Sequence, residues 1–161
     1  MKLHELPGLT VERLETGRIR SDMCTFAQMA RFIWTAGWRL RHVLRKLKPD
    51  VVHIFFSMPT GAVLLFTGLR CAQPYFVSLL GGDVPGFLPA ETGRMHWLLM
   101  GLTRRLWRGA AAVMPNSEGL ARLARNTLDR DYHIISNGVD TKFFDAGTAC
   151  ANAGPLRLIF V

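Results

Sequence analysis

Four short polar clusters hold most of the residues in this sequence that could do chemistry: Ser57 to Gly61, Gly81-Gly82-Asp83, Asn116-Ser117 and Asn137-Gly138-Val139-Asp140. Adjacent glycines let a backbone approach a sugar or a phosphate where a side chain would stand in the way. Asp83, next to them, can accept hydrogen bonds from sugar hydroxyls or from the amides of its own turn. Ser117 reads equally as a helix cap and as a substrate contact, and the two roles are compatible. Asn137-Gly138 reads first as a turn with a left-handed backbone and second as a site residue pair. The five histidines, His4, His42, His53, His96 and His133, form no close ligand pair, so no metal site is expected from them. His53 falls in an apolar run and reads as a core or cleft-lining residue, with Ser57 just beyond it as a second cleft-lining candidate. Cys24, Cys71 and Cys150 are far apart, which excludes a disulfide scaffold and favours a reducing compartment. Spacing assembles no Ser-His-Asp or Cys-His constellation, and neither G-x-G-x-x-G nor G-x-x-x-x-G-K-[ST] occurs.

These clusters need elements to position them. Val51 to Phe56 is a continuous apolar run after Pro49, the pattern of a strand buried on both faces of a parallel sheet. Tyr75 to Leu80, Ala110 to Met114 and Tyr132 to Ile135 read as three further strands. Helices are expected between them at Thr60 to Arg70, capped by Ser57 or Thr60, at Arg94 to Arg108, and at Glu118 to Leu128, capped by Ser117. The alternation gives an α/β fold with a Rossmann-like parallel sheet, in which ligands gather at the carboxyl ends of the strands. All four polar clusters lie at such ends. Ahead of the first strand, Phe26, Ala30, Ile33, Gly37, Leu40, Leu44 and Leu47 recur at helical spacing. The opposite face of that helix aligns Arg31, Trp34, Trp38, His42 and Arg45, and the helix Arg94 to Arg108 repeats the design with Arg94, Trp97, Arg104 and Arg108 outward.

The chain has 161 residues, 49% of them hydrophobic, enough for one domain with a sizeable core and few for two. Its net charge of +8 favours anionic partners, with +6 of it in residues 1 to 80. A basic, tryptophan-bearing helix face suits an anionic membrane surface, and no RNA- or DNA-binding signature accompanies it, so nucleic acid is not expected as a partner. No apolar run is long enough to cross a membrane, and the first residues have no signal-peptide core. A cytoplasmic protein touching the inner face of the membrane peripherally is the expectation. At the other end, the small and polar residues 145–155 lead into Leu156-Arg157-Leu158-Ile159-Phe160-Val161, which reads as the first strand of a further domain. The alternative is a terminal strand folded back on the first sheet. Leu9 to Leu14 is a short half-polar strand candidate, and no glycine-rich turn follows it.

The order of segments resembles the N-terminal domain of retaining glycosyltransferases of the GT-B fold, glycosyltransferase family 4. The stretches that carry the resemblance are KPDVVHIFF at Lys48 to Phe56, the Gly61-Ala62 pair, YFVSLLGGDVPG at Tyr75 to Gly86, RRLWRGAAAVMPNSEGLARLA at Arg104 to Ala124, and IISNGVD at Ile134 to Asp140. The resemblance extends over about residues 45 to 161. The resemblance implies a cleft enzyme of glycan biosynthesis that moves a glycosyl group from a sugar nucleotide to a glycan or lipid-linked acceptor with retention, without an obligatory metal. It implies an acceptor-side domain at residues 1–144 lacking its first βα unit, a linker at 145–155 and the first strand of a truncated second domain at 156–161. That second domain would grip the donor, so the fragment alone is expected to be inactive. Gly81, Gly82, Asp83, Ser117 and Asn137 are the expected substrate-binding residues, with His53 and Ser57 lining the cleft. The catalytic residue stays unassigned, because the histidine many members carry before the glycine turn is Leu80 here. The other reading of the same residues is a nonenzymatic basic α/β module that docks on a membrane or a protein.

Overall fold

The computed structural model describes residues 11, 25–66 and 73–143. The expectations at residues 145–161 and at all three cysteines lie outside them, as does the strand candidate Leu9 to Leu14 apart from Val11.

The amphipathic segment forms α1, Phe26–Leu47, with the bounds its periodicity predicts. Thr25 and Gln28 close a reciprocal capping box: Thr25 Oγ1 accepts the Gln28 N–H and the Gln28 side chain accepts the Thr25 N–H. That pair satisfies two of the donors a helix start leaves open. Lys48 ends the helix in a left-handed conformation and donates its N–H to Leu44 O at 3.0 Å, and Pro49 cannot extend the helix.

The chain then alternates β1 (Val52–Phe55), α2 (Thr60–Phe66), β2 (Tyr75–Leu79), α3 (Pro89–Gly109), β3 (Ala112–Pro115) and α4 (Glu118–Arg125). The three strands are parallel in the order β1-β2-β3. Across the register, Ile54, Val77 and Val113 lie side by side. They are buried in one cluster with Leu44 of α1, Ala62 and Leu64 of α2, Leu106 and Trp107 of α3 and Leu120 of α4. Gly61 lets α2 press against α3, because a Cβ there would run into Leu106.

Trp107 is the largest fully buried side chain, and three contacts fix it. Its Nε1–H donates to Ser57 Oγ at 2.7 Å, Tyr132 packs edge-on at 6.2 Å, and the Arg130 guanidinium donates to the Trp107 carbonyl at the end of α3. A cation against the last carbonyls of a helix also complements its dipole.

Several sequence expectations are corrected. Strand β1 is not covered on both faces: Ile54 is buried while its neighbours His53 and Phe55 are exposed on the other side, and Val51 and Phe56 at its ends are about half exposed. Helix α3 starts five residues before Arg94, since Pro89 fits a first helical turn where no N–H partner is needed. Strand β3 runs two residues later at its start than Ala110 to Met114 predicts. Helix α4 ends at Arg125 and not at Leu128, while α2 is helical as expected over Thr60–Phe66 and the expectation for residues 67–70 lies outside the described part. Tyr132 to Ile135 is not a full strand, although His133 N–H donates to Val113 O and Ile135 N–H to Pro115 O along the edge of β3. On α3, Arg94, Trp97, Arg104 and Arg108 are exposed as expected, and Arg104 Nε also donates to Thr127 O and so helps hold the segment after α4.

Candidate functional site

The loops after β1, β2 and β3 meet at the carboxyl edge of the sheet, and Asp83 joins the first two. Its side chain is 3% exposed. Oδ1 accepts the N–H groups of Leu80 at 3.0 Å and Gly81 at 2.9 Å, while Oδ2 accepts the N–H of Ser57 at 2.7 Å. Three backbone donors on one buried carboxylate form a charge-assisted staple stronger than neutral hydrogen bonds. Gly81 sits at φ +140, a conformation L side chains rarely adopt, and a Cβ there would meet the Phe87 ring at 3.2 Å. At Gly82 the φ is ordinary and a Cβ would find only Leu88 at 3.8 Å. The first glycine is therefore required by the turn, and the second by nothing inside the protein.

Ser57 is fully buried and lines no open surface. Its Oγ accepts from Trp107 rather than capping α2, and its backbone carbonyl takes the Gly61 N–H. From the other side the loop is held by His96, which is 2% exposed on α3. His96 Nε2 lies 3.0 Å from Gly82 O, so Nε2 is the protonated nitrogen, because a carbonyl only accepts. Its Nδ1 is buried without a hydrogen-bond partner. Asn116, after β3, donates its backbone N–H to Leu79 O and its side-chain amide to Leu80 O at 3.4 Å. Leu80 thus has both backbone groups engaged, one by Asp83 and one by Asn116.

Ser117 does cap α4, accepting the Leu120 N–H at 3.3 Å, and its residue remains exposed beside Asn116. His53 is not a buried core histidine. It is exposed on β1, with Nε2 2.8 Å from Ser78 Oγ and its ring 4.2 Å from that of Phe55. Asn137 and Gly138 are exposed and neither has a positive φ, so the expected left-handed turn is absent there. The turn comes three residues later: Asp140 Oδ1 accepts the N–H groups of Lys142 and Phe143 at 3.0 and 3.1 Å. The short side chain of Asp140 competes for those amides, and that fixes the turn after it.

The structure therefore brings Gly81, Gly82, Asp83 and Ser57 into one bonded unit, with Asn116-Ser117 beside it. Sequence reasoning missed Trp107 and His96 because both lie on the buried side of a helix, where an aromatic or a histidine looks like ordinary core. Among the described residues no group of three His, Cys, Asp or Glu is arranged to hold a metal ion. The site offers the half-buried backbone of Gly82, held from behind, and the exposed side chain of Ser117. Such a surface can bind hydroxyl-rich or phosphate-bearing ligands by close approach.

No curated protein matches the chain. The family model described as Glycosyltransferase Family 4 matches residues 6–143, which takes in every described element and starts well before the segments quoted above as resembling it. A parallel Rossmann-like sheet with the glycine loop at its carboxyl edge agrees with that match, and the chain belongs to Glycosyltransferase Family 4.

Proposed function

We propose that the chain serves a retaining transfer of a glycosyl group from a sugar nucleotide to an acceptor, and that it supplies the acceptor-side surface. The observation that carries this reading is the Gly81-Gly82-Asp83 loop, whose shape is fixed from behind by Asp83 and His96 while Gly82 leaves its own surface free of any side chain. Gly82 gives the backbone face for the sugar, while Gly81 is buried with its N–H on Asp83 and its carbonyl on the Val84 N–H; Ser117, after β3, and Asn137, in the segment that runs along its edge, supply exposed polar groups. Asp83 acts through the loop it holds, because its oxygens already accept three backbone N–H groups.

In the reaction, the acceptor oxygen bonds to the anomeric carbon on the face from which the diphosphate leaves. The bond from that carbon to the diphosphate oxygen breaks, and the acceptor proton passes to the departing phosphate. A transfer of this kind asks for stabilisation of separating charge more than for a protein nucleophile. Leu80, unable to exchange a proton or donate from its side chain, is compatible with that demand.

The test is an amide-resolved titration of the full chain with a panel of sugar nucleotides and simple glycosides, comparing the wild type with Gly82→Val. Shifts centred on Gly81, Gly82 and Ser117 are expected, with binding lost in a Gly82→Val protein that keeps its unfolding midpoint. Shifts elsewhere, or unchanged binding by the variant, overturn the reading. Where transfer is measured, an inverted anomeric configuration in the product overturns retention.

A further inference from the structure

We propose that α1 docks the protein on an anionic lipid bilayer, with the helix lying along the surface and Trp34, Trp38 and Phe66 entering the headgroup region. Arg31, Trp34, Trp38, Arg41 and Arg45 follow one another at three- and four-residue steps, so they form one stripe along the helix. Trp34 is 73% exposed, Trp38 70% and Phe66, at the end of α2, 65%. The core-facing side of α1 is elsewhere, at Ala36 and Leu44, so folding gives no reason for two indoles on this side. With Ile33 and Arg41, the three aromatic residues frame an open apolar groove of about 500 Å³.

Charge identifies the partner. Six cations and no acidic residue lie between Arg31 and Lys48. Tryptophan and arginine are enriched in protein–protein interfaces as well, so what selects the partner is the run of cations with no acidic residue among them, which an anionic lipid surface neutralises. Here arginines alternate with indoles along a single stripe. That is the arrangement a lipid interface accepts, because indoles rest at headgroup depth while arginine stems lie in the apolar zone and their guanidinium groups reach the phosphates. Among the described residues no helix is long and apolar enough to cross a membrane, so the contact is one of surface docking. It does not depend on the transfer reaction.

The test is co-sedimentation of the full chain with vesicles of phosphatidylcholine alone and of phosphatidylcholine mixed with phosphatidylglycerol, together with indole fluorescence in a Trp97→Phe background. Expected results are partitioning onto the mixed vesicles only, weakening with added salt, and a blue shift of the emission on binding. Trp34→Ala/Trp38→Ala and Arg41→Gln/Arg45→Gln should each reduce partitioning, the second pair by about fivefold per cation removed. Both variants change exposed side chains and should keep the helical spectrum and unfolding midpoint. Equal partitioning onto both vesicle types, none at low salt, or undiminished partitioning of both folded variants overturns the proposal.

Discussion

The carboxylate of Asp83 accepts the backbone N–H of Ser57 at 2.7 Å, and this bond joins the loop that leaves β1 to the loop that leaves β2. Ser57 is held in turn by Trp107, so α3 sets the position of a loop fifty residues earlier in the chain. The same helix reaches the Gly82 carbonyl through His96. A glycine loop is intrinsically flexible, and here its shape is enforced by contacts from its buried side.

Removing the Asp83 carboxylate should therefore act on folding before it acts on binding. Asp83→Ala leaves three N–H groups without their acceptor in a site almost closed to water, at a cost of about 3–5 kcal/mol. Asp83→Asn keeps one accepting oxygen and should cost less. Urea unfolding measures both, and a loss under about 1 kcal/mol for Asp83→Ala would show that the staple is not what holds the loop.

The two glycines should separate in the same assay. Gly81→Ala forces a Cβ onto a φ of +140 and against Phe87, and strain of this kind costs on the order of 1–3 kcal/mol. Gly82→Ala meets only Leu88 at ordinary contact distance and should change stability by less than about 1 kcal/mol. Equal losses from the two substitutions would mean that the turn does not distinguish them.

Much of this was legible in the sequence, and the exceptions have physical causes. Helix α1 matched its periodicity because one face packs and the other does not. The glycine loop and the Ser117 cap followed from local backbone chemistry, which short-range residue types determine. The exposure of β1 did not, because an apolar run records what a strand can be buried against and not what stands beside it. Asn137-Gly138 suggested a turn on dipeptide preference, yet Asp140 captures the following amides and moves the turn to residues 141–143. The Ser57–Trp107 and His96–Gly82 bonds join residues 50 and 14 positions apart, and no local pattern encodes them.

His96 offers a test of positioning from behind the loop. Its Nε2–H satisfies the Gly82 carbonyl, while Nδ1 is buried without a partner. In His96→Gln the side-chain amide can still donate to that carbonyl, so stability should stay within about 1 kcal/mol of wild type. His96→Leu fills the space but leaves the carbonyl unpaired, and should cost roughly 1–3 kcal/mol. If the leucine variant is as stable as wild type while the amide resonances of Gly81 and Gly82 stay in place, His96 does not position the loop.

Tyr132 should make stability fall in alkaline solution. Its hydroxyl lies 2.8 Å from Leu128 O and 3.2 Å from Ala124 O, and its ring packs on Trp107. Burial raises its pKa from 10.0 to about 12, a stronger effect than the opposing pull of Arg130 and Arg125. The folded state therefore keeps the phenol protonated over a range in which the unfolded chain has released that proton. The stabilisation is complete below pH 10 and is lost progressively as pH rises from 10 towards 12. The advantage of wild type over Tyr132→Phe in chemical denaturation should be flat at lower pH and shrink across that window. Tyrosinate absorbance should agree: subtracting the Tyr132→Phe titration from that of wild type should leave a single transition near pH 12. A transition near pH 10, or a stability advantage that stays constant through the window, would mean that water reaches the phenol in the folded protein.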